Sequence, residues 1–420
     1  MKHRQKAKRE TAGLLAFLLP VLAVGLLAAF VALFWEEHDP GAKGPETETQ
    51  QEAQTETEEK TESEAETEAD SAALKAREAL RSMSLEEKTA QLFIITPEAL
   101  TGVDLATASL DSTREAYETY PVGGIIYFEQ NIVSEEQFKE MTSGMKQISE
   151  ERSPVAAFLG IDEEGGRVAR LANHDGLDIE NVGSMLAIGQ SGDSEKAREA
   201  GETIGTYLQE FGLDVDFAPD ADVLDSEDNT VIADRAFGTD PSAVADMVAR
   251  MVEGLKSEGI SATLKHFPGH GGTREDTHTE AAYTQKTMEE LWQSDFLPFQ
   301  AGIEAGADFV MVGHLAAPNA TGEDTPAIFS EALVEGVLRE QMGFEGIIIT
   351  DALNMDAITA SYTSAQAAVK ALQAGVDMLL MPADFTEAYQ GVLDAVADGT
   401  LTQERIDKSV LRVLTLKFQK

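Results

Sequence analysis

The chain has 420 residues, 43% of them hydrophobic, which is enough for one large domain or two of ordinary size. It contains no cysteine, and this excludes a disulfide framework, a thiolate metal site and a cysteine nucleophile. Its formal net charge of −43 would repel nucleic acid, so we expect no nucleic-acid partner.

The N-terminal region has the pattern of a membrane anchor. A basic segment, residues 1–11, precedes an apolar run over residues 12–35 that holds no charged side chain. At about 1.5 Å per residue, a helix of that length spans roughly 35 Å and crosses the bilayer core. The basic residues before the run indicate a cytoplasmic N-terminus. We therefore predict a single-pass membrane protein with an extracytoplasmic domain; the alternative is a cleaved signal peptide and a secreted product.

Residues 36–72 form a second compositional region. Eleven acidic residues and one lysine fall between positions 45 and 72, and no aromatic residue follows Trp35 in this stretch. Such a segment cannot bury a core, so we predict a disordered acidic linker; a solvated helix from Glu56 onward would serve equally as a spacer.

The remaining residues, 73–420, alternate short apolar runs with amphipathic stretches. Helices are predicted over 195–211, 243–258, 288–305, 331–341 and 387–397. Buried parallel strands are apolar on both faces, and the runs have that character. Eight such alternations favour a closed (β/α)8 barrel of the TIM type over a doubly wound sheet. The eight predicted strands are 92–96, 124–128, 155–161, 215–218, 262–266, 309–312, 347–350 and 376–381.

Polar side chains follow these predicted strands. Because the active site of a (β/α)8 barrel lies at the carboxyl ends of its strands, such residues meet on one rim. Any one of them alone is better explained as a solvated turn residue or a helix N-cap, an interpretation that also fits Asp351 before Ala352-Leu353. Together they predict a polar site. Its members on this criterion are Asp162 with the segment 163–167, Asp220, Asp222, Asp234, Arg235, Lys265, His266, His314 and Asp351.

A metal site is one interpretation of the histidine-rich stretch from Lys265 to His278. His266, His270 and His278 with Asp276 offer ligand atoms. However, Pro268 and Gly269 interrupt any helix, so the histidines do not form a helical pair. We therefore expect no metal and no other cofactor. The pair formed by Asp276 and His278 fits proton transfer better, since a carboxylate orients an imidazole and strengthens it as a base.

The segment from Lys265 to His278 resembles the motif of a known family. The run Lys265-His266-Phe267-Pro268-Gly269-His270-Gly271, followed by Asp276-Thr277-His278, resembles the signature of β-N-acetylglucosaminidases of glycoside hydrolase family 3. Residues 123–128, 162–168, 231–237 and 350–355 resemble further blocks of that family. The resemblance extends from about residue 84 to residue 420, and the expected form is a single barrel without a second domain.

The resemblance implies a set of roles. Asp351 would be the nucleophile, and His278 the acid/base, assisted by Asp276. Departures from the family pattern are small: Glu163 stands where Gln is usual, Gly272 replaces a common Asp and Thr277 a common Ser. Sugar contacts would come from Asp162, Arg170, Arg235, Lys265 and His266.

The implied activity is that of a β-N-acetylhexosaminidase. A retaining glycosidase needs one group to protonate the leaving oxygen and another to attack the sugar from the opposite face. The expected substrates are peptidoglycan fragments or chitin-like oligosaccharides, and we expect a monomer. The alternatives are a β-N-acetylglucosaminide phosphorylase, a β-glucosidase, or a non-catalytic surface protein that binds sugar. The last would be expected to lack Asp351, Asp276 or His278, and all three are present.

Overall fold

The computed structural model describes residues 71–225, 229–273 and 282–420. Eight parallel strands form one sheet in the order β8-β1-β2-β3-β4-β5-β6-β7. A further parallel bridge between Ile349 and Met378 joins the two edges and nearly closes the sheet. The predicted (β/α)8 class is thereby confirmed. The strands are β1 Phe93–Ile95, β2 Gly124–Ile126, β3 Phe158–Ile161, β4 Val215–Asp216, β5 Ser261–Phe267, β6 Phe309–Val312, β7 Ile347–Thr350 and β8 Leu379–Leu380.

Helices follow most strands and pack around the sheet. Residues 71–82 are also helical. Further α-helices span Leu85–Gln91, Pro97–Thr101, Asp111–Thr119, Glu135–Arg152, Met185–Gln190, Glu195–Glu210, Pro241–Ser257, Met288–Gln293, Phe296–Glu304, Pro318–Thr321, Asp356–Thr359, Ser364–Ala374, Phe385–Asp398 and Gln403–Gln419. Short 3-10 turns span Glu129–Asn131, Ala233–Arg235 and Ala327–Phe329, and a π-helix spans Ala332–Gln341.

Two of the predicted helices differ from the observed ones for a local reason that the structure shows. The segment predicted as one helix over 288–305 is two helices, because the chain turns at Ser294 with φ −137° and ψ −83°. Asp295, next to this turn, is buried and forms an ion pair with Lys286 at 2.5 Å. The helix predicted from residue 243 begins earlier, at Pro241. Asp240 caps it by accepting hydrogen bonds from the amides of residues 242 and 243, the pattern of an N-cap.

The barrel interior is filled by apolar side chains from alternate positions of the strands. Phe158 and Phe309 meet edge to face there, with ring centroids 5.6 Å apart. Val413, from the C-terminal helix, packs into the same cluster and helps to close the end opposite the site. The interior is therefore a packed core, and ligand binding is left to the loops at the carboxyl ends of the strands.

The predicted anchor, residues 12–35, and the predicted linker, residues 36–72, lie outside the described residues except for the last two linker positions. Within the ranges that are described, no helix is long and apolar enough to cross a membrane.

Candidate active site

One pocket at the carboxyl ends of the strands brings together the predicted nucleophile and the predicted sugar-contact residues, whereas the predicted rim residues Asp220, Asp222 and His314 do not line it. It has a volume of about 330 Å³, and its wall combines apolar side chains such as Phe128 and Met311 with charged groups. Six predicted residues line it, from β5 and from the segments that follow β3, β4 and β7. They are Asp162, Arg170, Arg235, Lys265, His266 and Asp351.

A β-hairpin directly after β3 places two of these residues. Its strands, Glu163–Gly165 and Val168–Ala169, pair antiparallel, and Gly165 and Gly166 turn the chain with φ of +91° and +57°. A side chain at Gly165 would also be crowded, since a Cβ there would lie 2.7 Å from Val182. The hairpin brings Arg170 back beside Asp162, with Nη2 to Oδ2 at 3.5 Å.

Glu164 lies at the centre of the charged wall. Its side chain is 1% exposed and accepts two hydrogen bonds from the Arg235 guanidinium, both at 2.8 Å. Lys265 Nζ lies 2.6 Å from the same carboxylate and 2.9 Å from Asp162 Oδ1. Burial opposes ionisation of Glu164, but the two cations hold its pKa below the usual value. One buried carboxylate thus compensates two of the predicted sugar-contact cations.

His266 is held from both sides of its ring. Nδ1 lies 2.8 Å from Asp222 Oδ2, and Nε2 lies 3.3 Å from Arg235 Nη2. Because a guanidinium can only donate, Nε2 accepts and the ring proton resides on Nδ1, from which it is donated to Asp222. Burial works against the charged form of Asp222, yet the hydrogen bond that it accepts from His266 lowers its pKa.

The buried group Asp220, Asp222 and His266 also has the spacing of a metal site, with its potential ligand atoms within 4.8 Å of one another. Arg235 Nε lies 3.6 Å from Asp220 Oδ2, so a fixed cation already faces this group. Burial, followed by repulsion from Asp222, raises the pKa of Asp220 well above its usual value. The raised pKa of Asp220 and the neighbouring guanidinium both weaken this group of residues as a cation ligand.

Asp351 stands at the end of β7, where its backbone amide donates to Val312 O at 2.8 Å. The amide of Ala352 donates to Asp351 Oδ1 at 2.7 Å. His314, which follows β6, donates from Nε2 to Ala352 O at 2.8 Å and so holds the backbone that carries the carboxylate. The structure therefore presents Asp351 to the pocket on a backbone restrained by β6 and by the segment that follows β6.

The predicted acid/base pair, Asp276 and His278, lies outside the described residues, so both roles stay predictions. His270, which the sequence offers only as a possible metal ligand, also lines the pocket. Its backbone amide donates to Asp222 Oδ1 at 2.6 Å, and burial lowers the pKa of its ring.

Glu164, which holds Arg235 and Lys265, and Asp222, which holds His266, were predicted only as polar residues on the rim and were given no role. Their partners are distant in the chain, Arg235 being 71 residues from Glu164 and His266 being 44 from Asp222. The only local signal is position, since both acids follow a strand end directly or by a few residues.

Comparison with known proteins agrees with this geometry. The family model described as "Glycosyl hydrolase family 3 N terminal domain" matches residues 84–416. A β-hexosaminidase from Xylella fastidiosa is 36% identical over 280 residues, covering 66% of this chain and 80% of the relative. β-Hexosaminidase A from Pseudoalteromonas piscicida is 32% identical over 324 residues, covering 72% of this chain and 54% of the relative.

Among solved structures, a glycoside hydrolase family 3 β-N-acetylglucosaminidase from Paenibacillus is similar, with a TM-score of 0.75 and 34% identity. The match covers 80% of this chain and 63% of that one. The chain thus spans about half the length of the Pseudoalteromonas relative and less than two thirds of the Paenibacillus chain. The resemblance inferred from the motifs is confirmed at the level of the family.

Proposed function

Because the chain belongs to glycoside hydrolase family 3, we propose that it is a retaining glycosidase that removes terminal β-linked N-acetylglucosamine. The observation that carries this proposal is the meeting of Asp351 with five predicted sugar-contact residues in one pocket at the barrel's carboxyl end. The similarity to β-hexosaminidases supports the same activity. Fragments of peptidoglycan and chitin-like oligosaccharides are the substrates we infer.

In this proposal Asp351 attacks the anomeric carbon and forms a covalent glycosyl-enzyme intermediate. The amide of Ala352 holds Oδ1 at 2.7 Å, which limits rotation of the carboxylate. Orientation of this kind lowers the barrier because the reacting atoms need no further ordering. Water then hydrolyses the intermediate and the anomeric configuration is retained.

The charged wall would bind the sugar hydroxyls. Asp162 and Lys265, 2.9 Å apart, offer an acceptor and a donor side by side, which suits a hydroxyl that both donates and accepts. Burial disfavours the charged form of Lys265, but the carboxylates of Asp162 and Glu164 raise its pKa, so it stays a cationic donor. His278, assisted by Asp276, would protonate the leaving oxygen and later activate water.

The proposal is tested by steady-state assays with aryl β-N-acetylglucosaminide and the matching aryl β-glucoside. We expect kcat/KM to be at least about 100-fold higher for the acetamido sugar, which corresponds to about 2.7 kcal/mol of discrimination. Added phosphate should yield no sugar phosphate. A preference for the glucoside, or accumulation of a sugar phosphate, would replace the proposal with the corresponding alternative.

We also infer that residues 12–35 anchor the enzyme to the membrane, with the barrel outside the cell on the linker 36–72. The support is the uncharged apolar run after a basic start. Membrane fractions should retain the full-length chain with its native N-terminus. Recovery of only a shortened soluble form that begins near residue 36 would favour secretion after signal cleavage.

A further inference from the structure

Glu163 is a buried acid beside the pocket that the proposed mechanism does not use. Its side chain is 0% exposed and accepts hydrogen bonds from the backbone amides of Leu171 at 2.8 Å and Ala172 at 2.9 Å. The Tyr207 hydroxyl donates to the same carboxylate at 3.0 Å. Each carboxylate oxygen therefore accepts at least one hydrogen bond, and every one of these partners is a donor.

These contacts connect two of the predicted sugar-binding residues. Asp162 immediately precedes Glu163, and Arg170 immediately precedes the two amides that Glu163 holds. Among the residues that the structure describes, the Arg170 side chain is held by two neighbours: its Nη2 lies 3.5 Å from Asp162, and its guanidinium lies 5.7 Å from the Phe128 ring centroid. The distance between the Asp162 and Arg170 side chains thus depends on the backbone of residues 171 and 172, which Glu163 holds by hydrogen bonds.

The chemistry of the contact requires a carboxylate. The family resemblance assigns Gln to this position, but a Gln side chain has one acceptor oxygen and one NH2 group. In either orientation the NH2 group would face a donor, either the Leu171 amide or the Ala172 amide with the Tyr207 hydroxyl. In this chain an amide would lose at least one of the restraining hydrogen bonds.

A contribution to folding stability does not by itself explain why an acid stands at position 163. Glu163 lies next to Asp216, whose Oδ1 accepts from the Glu163 amide at 3.0 Å, and both side chains are buried. Burial raises the pKa of both groups, which means that their charged forms are disfavoured in the folded protein. Functional sites often contain residues that lower the stability of the fold but serve ligand binding, and a buried acid next to a second buried acid has this character.

We propose that Glu163 is a positioning residue that sets the geometry of the Asp162–Arg170 sugar contact through the backbone of residues 171 and 172. The inference rests on the proposed function, since it takes Asp162 and Arg170 to touch the sugar. Glu163 itself touches no substrate. Its effect belongs to binding, so it alters KM and leaves the chemical step nearly unchanged.

The test is Glu163→Gln, assayed with aryl β-N-acetylglucosaminide. We expect KM to rise about tenfold while kcat stays within about twofold. Tyr207→Phe, which removes one of the hydrogen bonds, should raise KM by a smaller factor. Glu210→Gln makes the same chemical change on an exposed acid of the Tyr207 helix and should alter neither constant.

A double mutant separates positioning from a general structural effect. In an Arg170→Ala background, Glu163→Gln should raise KM no further, because the side chain it positions is gone. The inference would be overturned if the KM increases of the two single variants multiplied in the double mutant. It would also be overturned if kcat of Glu163→Gln fell by as large a factor as its KM rose.

Amide hydrogen exchange supplies a readout that needs no activity. Glu163→Gln should accelerate exchange of the Leu171 and Ala172 amides about tenfold, with no change in the strands of the barrel. Unchanged exchange at these amides would overturn the inference. If the wild-type enzyme were inactive but exchange were still accelerated in Glu163→Gln, the proposed function would be rejected. The role of Glu163 in holding the backbone of residues 171 and 172 would stand.

Discussion

Substitution of Asp351 by asparagine should reduce kcat for aryl β-N-acetylglucosaminide by at least about 10³-fold, because no attacking carboxylate remains. The fold should persist. The asparagine Oδ1 can still accept from the Ala352 amide, and the surrounding backbone is held independently by Val312 O and by His314. Thermal unfolding of the variant should therefore resemble that of the wild type.

Asp356→Asn is the matched control, since Asp356 is an exposed acid on the next short helix and makes no contribution to the pocket wall. Its kcat should be unchanged. A 2-fluoro-2-deoxy sugar with a good leaving group should label wild-type Asp351 and leave the asparagine variant unlabelled. Label on another carboxylate, or an asparagine variant with wild-type turnover, would remove Asp351 from the nucleophile role.

The barrel was predictable because its signal is local. All eight strands lie where apolar runs occur in the sequence, although β8 is confined to Leu379–Leu380 within the predicted 376–381. The break near residue 294 was not predictable in the same way. The Lys286–Asp295 ion pair lies next to this break, and the burial of that acid follows only from the tertiary fold.

The site was predictable only in part, for a related reason. Rim position and the family motifs identified the six described side chains that line the pocket. Neither signal shows which acid neutralises which cation, because pairs such as Glu164–Arg235 form across loops from different strands. The departure at Glu163 was visible in the sequence, but its hydrogen bonds to residues 171 and 172 were not.

Substitution of Glu164 by glutamine is expected to lower both the stability and the activity of the protein. Glu164→Gln keeps the shape of the side chain but removes the charge that lies between Arg235 and Lys265. Breaking a buried ion pair leaves an uncompensated charge and costs about 3–5 kcal/mol of unfolding free energy. Because both cations are predicted sugar contacts, kcat/KM should also fall by about 100-fold or more.

The pH dependence of this loss has a defined sign. The pKa of Glu164 is lowered in the folded protein, so its stabilisation is complete above the ordinary Glu pKa of about 4.3. It is lost as the pH falls from there through the lowered pKa. The difference in unfolding free energy between wild type and Glu164→Gln should thus be constant from pH 7 to about 5 and shrink below about pH 4.

Two further variants separate charge balance from sugar binding. Glu253→Gln makes the same change in an exposed pair, with Arg250 at 2.8 Å, and should cost at most about 1 kcal/mol. In the Glu164→Gln background, Lys265→Met removes the surplus buried cation and should restore part of the stability, while activity stays low because a predicted sugar contact is lost. If Lys265→Met gave no recovery of stability, the loss in Glu164→Gln would not come from uncompensated charge. If Glu164→Gln alone kept wild-type stability and turnover, Glu164 would not organise the two cations.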